Sequence, residues 1–134
     1  MARAMPLTLL HTADWQIGKQ FAPIAGDAGA MLRTQRLETI RALAALASER
    51  CVDLVLVAGD VFEDNAVSDE TLRRTMNALD GFEGPWVLLP GNHDAALAQS
   101  VWSRLRRLAI VPDNVVLATA NSYGVNAASP SLAI

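Results

Sequence analysis

The stretch Val52-Asp53-Leu54-Val55-Leu56-Val57-Ala58-Gly59-Asp60 decides the fold. Residues 52–58 are nearly all apolar and rich in Val and Leu. A strand covered on both faces, as in a parallel sheet, has this composition. Upstream, Leu37, Ile40, Ala44 and Ala47 repeat at helical spacing, and Leu43 and Leu46 widen the stripe. That periodicity predicts a helix over residues 30–50. Before it come a short β-type run, Leu7 to His11, and a polar loop over residues 12–29 with Gly18, Pro23, Gly26 and Gly29.

Downstream the alternation repeats. Ser68 is a good N-cap with Asp69 and Glu70 behind it; Leu72, Met76 and Leu79 form an apolar face, and Gly81 marks the end. Gly84-Pro85 is a turn, and Trp86 to Leu89 is the third strand. A third helix is predicted from about Ala95, with Ala98, Val101, Trp102 and Leu105 on one face. Pro112-Asp113-Asn114 turns the chain into Val115-Val116-Leu117, the fourth strand. The order β-α-β-α-β-α-β predicts an α/β layered fold, a mainly parallel sheet flanked by helices. Ligands of such sheets bind outside the carboxyl ends of the strands.

Composition agrees with a single small globular domain: 134 residues, 51% hydrophobic and 19% charged. A disordered chain is excluded. Eleven basic against 14 acidic residues, a formal charge of -3, argues against a surface that grips nucleic acid everywhere. One cysteine, Cys51, allows no internal disulfide and points to a reducing compartment; its place beside an apolar strand predicts a core position. No apolar run approaches the roughly 18–20 residues of a membrane span, and Leu7 to Leu10 is too short for a signal peptide, so the chain reads as cytoplasmic. No Asp, Glu, Lys or Arg follows Asp113. Residues 1–118 therefore read as the N-terminal part of a domain, and 119–134 as an uncharged tail, truncated or poorly ordered.

Each of the first three strands runs into a polar cluster: His11-Thr12-Ala13-Asp14-Trp15-Gln16, Gly59-Asp60-Val61-Phe62-Glu63-Asp64, and Gly91-Asn92-His93-Asp94. Taken singly, such residues also serve turns and caps. Together they fall along one edge of the sheet. Asp and Asn oxygens with His nitrogens suit divalent ions such as Mn²⁺ and Mg²⁺, and two such ions clamp a phosphoryl group for in-line attack.

This pattern resembles the calcineurin-like metallophosphoesterases, whose motifs are Asp-x-His, Gly-Asp and Gly-Asn-His-Asp/Glu. The wording Leu10-His11-Thr12-Ala13-Asp14-Trp15, Ala58-Gly59-Asp60-Val61-Phe62 and Leu89-Pro90-Gly91-Asn92-His93-Asp94 looks most like the SbcD-type DNA repair exonucleases. The resemblance implies a phosphodiesterase using two Mn²⁺ ions (or Mg²⁺), a DNA substrate and an SbcC-like ATPase partner. It implies that Asp14 holds the first metal, Asp60 bridges both and Asn92 holds the second. His93 would stabilise the transition state or protonate the leaving oxygen, oriented by Glu63, with Asp64 beside it. The expected set is thus Asp14, Gln16, Asp60 and Asn92 as ligands and His93, Glu63 and Asp94 as catalytic residues.

Two departures qualify the likeness. The family's Asp-x-His is Asp14-Trp15-Gln16 here. In an extended segment Gln16 would face the same way as Asp14, and three roles stay open for it: a weak ligand, a group acting through water, or a bystander at an open position. The family also takes ligands from later Gly-His and His-x-His motifs, whereas His11 and His93 are the two histidines of this sequence. The family's second sheet is expected to be missing. The chain alone is therefore expected to have little or no nuclease activity. Two alternatives stand beside the exonuclease: a metallophosphatase acting on a nucleotide or phosphoprotein, and a non-catalytic remnant of the fold. Of the remaining residues, His11 is expected to be a hydrogen-bonded structural histidine, Trp15 to pack beside the metal loop, and Arg73, Arg74, Arg104, Arg106 and Arg107 to form solvated helix faces.

Overall fold

The computed structural model describes residues 5–19, 24, 26–95 and 100–119. Its strands are β1 (Leu9–Thr12), β2 (Leu54–Ala58), β3 (Trp86–Leu89) and β4 (Val115–Leu117), and its helices α1 (Asp27–Glu49), α2 (Asp69–Ala78) and α3 (Val101–Leu108), with a 3₁₀ turn at Leu79–Gly81. The sheet order is β1-β2-β3-β4 and every pairing is parallel. The α/β reading of the sequence stands. Among the described residues there is one sheet, and no helix is long and apolar enough to cross a membrane.

Sequential order with right-handed crossovers sends every helix to the same side of the sheet. The register shows which residues meet them: Leu10, Val55, Trp86 and Val115 align across the four strands, and side chains two apart share a face. Val55, Val57, Trp86, Leu88, Val115 and Leu117 form one buried cluster with Ile40, Ala44 and Ala47 of α1, Leu72 and Met76 of α2, and Trp102 and Leu105 of α3. Leu9, His11, Leu56, Ala58, Leu89 and Val116, on the opposite face, lie outside that cluster. Three rings brace the core edge to face, Trp86 lying between Trp15 and Phe82 at 6.1 and 5.9 Å.

Several boundaries differ from expectation for identifiable reasons. α1 begins at Asp27, not residue 30. Gly29 reads as a loop residue, yet it serves close packing: a Cβ there would stand 2.8 Å from the Ile24 carbonyl oxygen. α3 starts at Val101 because Ser100 caps it, accepting from the Ser103 N–H. Ala95 precedes that helix, and Ala98 lies outside the described residues. Ser68 caps α2 as expected.

Cys51 is not in the core. It is exposed, with φ 51°. The Cys51 N–H donates to the Ser48 carbonyl and the Val52 N–H to that of Ala47. Cys51 thus holds the left-handed position that ends α1, a place usually given to glycine. His11 lies inside β1, exposed on the face away from the helices, and makes no side-chain hydrogen bond among the described residues. Thr119 is buried and accepts a hydrogen bond from Arg106 at 2.7 Å. Residues 120–134 lie outside the described residues.

Candidate metal centre

Three loops leave the carboxyl ends of β1, β2 and β3, and backbone hydrogen bonds tie them together. The first runs alongside the second as an extension of the sheet. Asp14 N–H donates to the Gly59 carbonyl (3.1 Å), Gln16 N–H to that of Asp60 (2.9 Å) and Ile17 N–H to that of Val61 (2.9 Å). Glu63 N–H returns to the Ile17 carbonyl at 2.8 Å. The ladder comes with backbone strain: Asp14, Gln16 and Asp60 sit at φ 56°, 48° and 51°. Such left-handed residues cluster at functional sites. The segment Asp14 to Gln16 is therefore not extended, and strand alternation does not set the direction of Gln16. Its backbone bond to Asp60 is what brings it beside the other candidates.

The third loop meets the second at even closer range. A Cβ on Gly91 would collide with Asp60 Oδ1 and stand 2.5 Å from the Asp60 nitrogen, so only glycine fits. His93 N–H donates to Asp60 Oδ1 at 2.9 Å. Asn92 lies between these two contacts, and both Asn92 and His93 are exposed.

Asp94 differs from the other acids. It is fully buried. One carboxylate oxygen accepts the Phe62 N–H at 3.0 Å and the other the Gly91 N–H at 2.7 Å. Trp102 Nε1 donates to its carbonyl at 2.5 Å. With both oxygens engaged by backbone, Asp94 ties the second loop to the third. Asn65 adds a second latch that the sequence did not signal: its Oδ1 accepts the Val101 N–H and its Nδ2 donates to the Ala95 carbonyl.

Arg104 is not a solvated-face residue. Its side chain is 17% exposed and donates to the carbonyls of Asn65 (3.1 Å) and Val67 (2.6 Å) and to Asp69 Oδ1 (2.7 Å). The hydrogen bond from Arg104, helped by its charge, lowers the Asp69 pKa against an opposing desolvation effect. Arg106 likewise reaches back to the Leu117 carbonyl and Thr119. Arg73 and Arg74 are exposed, as expected.

The other acids sort by their partners. Asp64 Oδ1 accepts the Ala66 N–H at 2.7 Å, closing a local turn. Glu63 keeps one buried oxygen, Oε2, without a hydrogen-bond partner; such an atom calls for a donor or a cation. Asp14 is exposed, and its carboxylate accepts no hydrogen bond among the described residues. Among those residues no group of three or more His, Cys, Asp or Glu side chains is placed to hold a metal ion. What the edge offers is two carboxylates, Asp14 and Asp60, with the amides of Gln16 and Asn92. These are hard oxygen donors, and they fit an oxygen-bound divalent cation.

The profile of the calcineurin-like phosphoesterase family matches residues 7–127, from β1 through all three loops and past β4. The chain belongs to that family. Calcineurin-like phosphoesterases are metal-dependent hydrolases, which agrees with the oxygen donors at the carboxyl edge of this phosphoesterase sheet. A curated relative is the SbcD component of the nuclease SbcCD from Bacillus subtilis (strain 168), 27% identical over 92 residues. The match covers 66% of this chain and 22% of that protein, so the chain spans about a fifth of the length of the relative it matches.

Proposed function

We propose that this phosphoesterase chain carries part of a DNA phosphodiesterase site of the SbcD type. The observation that carries the reading is the joining of the Asp14, Asp60 and Gly91–Asp94 loops at one sheet edge through main-chain bonds and Asp60 Oδ1. Asp14 and Gln16 would hold one Mn²⁺ or Mg²⁺, Asn92 a second, and Asp60 would bridge them. When bound, such ions polarise a phosphoryl oxygen and lower the pKa of water. His93, which is exposed, would meet a phosphate or protonate the leaving oxygen. Glu63 is the acid with an oxygen to spare for orienting it. Asp94 acts as a positioning residue. By the same likeness an SbcC-like ATPase would be its partner, and the single cysteine fits a reducing, cytoplasmic compartment.

A second reading is favoured by the donor count. Two carboxylates and two amides form a weak site, and the chain alone then binds metal and phosphate but turns over little. End-labelled linear duplex DNA, incubated with the chain in Mn²⁺ and in chelator, tests both. DNA binding that requires Mn²⁺, disappears in Asp60→Asn and exceeds binding of a phosphopeptide is expected. Metal-independent binding, or a preference for the phosphopeptide, contradicts the nuclease reading. Metal-dependent release of nucleotides that is lost in Asp60→Asn contradicts the weak-site reading.

A further inference from the structure

A cavity of about 510 Å³ opens between the first loop and α1, and Asp14 forms part of its wall. Its size falls within the roughly 300–1,000 Å³ of small-molecule sites. The walls are mainly apolar: Trp15 lies on the loop side, and Leu32, Ile40 and Leu43 lie on the helix side. Gln35 and Thr39 are the uncharged polar side chains on the helix side, both exposed. The loop wall is fixed in place. Arg36 of α1 donates to the Trp15 carbonyl at 2.6 Å, and Trp15 Nε1 donates to Thr12 Oγ1 at 3.0 Å. Trp15 is buried, with its ring edge to face on Trp86 and its N–H engaged, so it adds to the apolar wall and gives no donor. The Gln35 amide supplies both a donor and an acceptor.

Apart from Arg36, which donates to the Trp15 carbonyl, these walls give a bare phosphate little to hold. A flat heterocycle suits them: its faces pack on apolar side chains and its edge meets an amide. We propose that this cavity is a nucleobase pocket, receiving the base of the nucleotide whose phosphate lies at Asp14 and Asp60. The proposal rests on the phosphodiesterase reading for the position of the phosphate, but the pocket itself needs no metal.

Calorimetric titration of the chain in Mn²⁺ with deoxyadenosine 5′-monophosphate and with deoxyribose 5-phosphate measures what the base adds. The nucleotide is expected to bind about tenfold tighter, the value of one modest apolar contact. Thr39→Trp and Leu32→Glu, both at exposed positions of α1, should abolish that margin and leave the sugar phosphate unchanged. Equal affinities in the parent, or a margin that survives both substitutions, overturn the pocket. Deoxyadenosine alone, in chelator, separates this proposal from the metal reading. Amide shifts confined to the 12–15 loop and residues 32–43 are expected, and no shifts there overturn the pocket. Failure of inorganic phosphate to bind in Mn²⁺ counts against the phosphodiesterase reading instead.

Discussion

Asp14 and Asp94 are acids of the same sheet edge, one in the loop after β1 and one in the loop after β3, and their circumstances are opposite. Asp94 is buried, with both oxygens committed to the N–H groups of Phe62 and Gly91. Asp14 is exposed, with a carboxylate that accepts nothing among the described residues and a backbone at φ 56°. The third loop is thus closed by a side chain and carries no left-handed non-glycine residue at 91–94, whereas the first is closed by backbone and carries two. A carboxylate with both oxygens used for construction has none to spare for a cation. One left free on a strained backbone is available, at a cost in stability.

The comparison breaks most visibly at Asp94. Asp94→Ala leaves two backbone donors without partners, and a loss of ~3 kcal/mol or more is expected in urea unfolding. Asp14→Ala, its counterpart, should stay within ~0.5 kcal/mol of the parent. If the two substitutions cost the same, the division of labour is wrong. Gly91→Ala should follow at ~2 kcal/mol, because its methyl group overlaps Asp60. It should also weaken Mn²⁺ binding, which a remote destabilisation of equal size would not do.

Gln16 sharpens the contrast from the other side. Gln16→Gly removes left-handed strain and should raise stability by ~1 kcal/mol. Gln16→His should tighten Mn²⁺ binding, since imidazole is a better donor to a transition metal than an amide oxygen. Unchanged affinity in Gln16→His would remove residue 16 from the ligand set.

The smallest effect belongs to the second loop, which Arg104 holds against α3. The Asp69 carboxyl is depressed by that partner. A depressed carboxyl stabilises the fold above its unfolded value and loses that contribution as pH falls through its folded value. Thermal unfolding of parent and Asp69→Asn should therefore differ slightly at pH 7 and converge below the usual carboxylate range. A difference that persists in strong acid would mean that the pair acts through packing.

The sequence carried these elements unevenly. β3 and β4 were legible to the residue, because short Val/Leu-rich runs sit between turn signals, and Ser68 announced α2 by its own chemistry. The three loops were legible as motifs because their placement after strands is a local property. Asp94 was not legible as a loop-builder, since one of its partners, Phe62, is 32 residues away. Arg104 is the same case, with partners 35 to 39 residues back. Cys51 misled because its apolar neighbours suggest a strand, while the backbone needs a left-handed exit from α1 there. The strain at Asp14 and Gln16 was invisible for a related reason: it is imposed by a neighbouring loop, not by local preference.

The central claim is that Asp14 and Asp60 are the carboxylates left for a divalent cation. Calorimetric Mn²⁺ titration of the parent, Asp14→Asn and Asp60→Asn tests it most directly. The account predicts weaker binding in both, with the Asp60 loss larger by about tenfold, about 1.4 kcal/mol, because a bridging carboxylate serves two ions. Equal losses, or a larger one at Asp14, would contradict the bridging role. Affinities unchanged in both variants would contradict the metal centre itself.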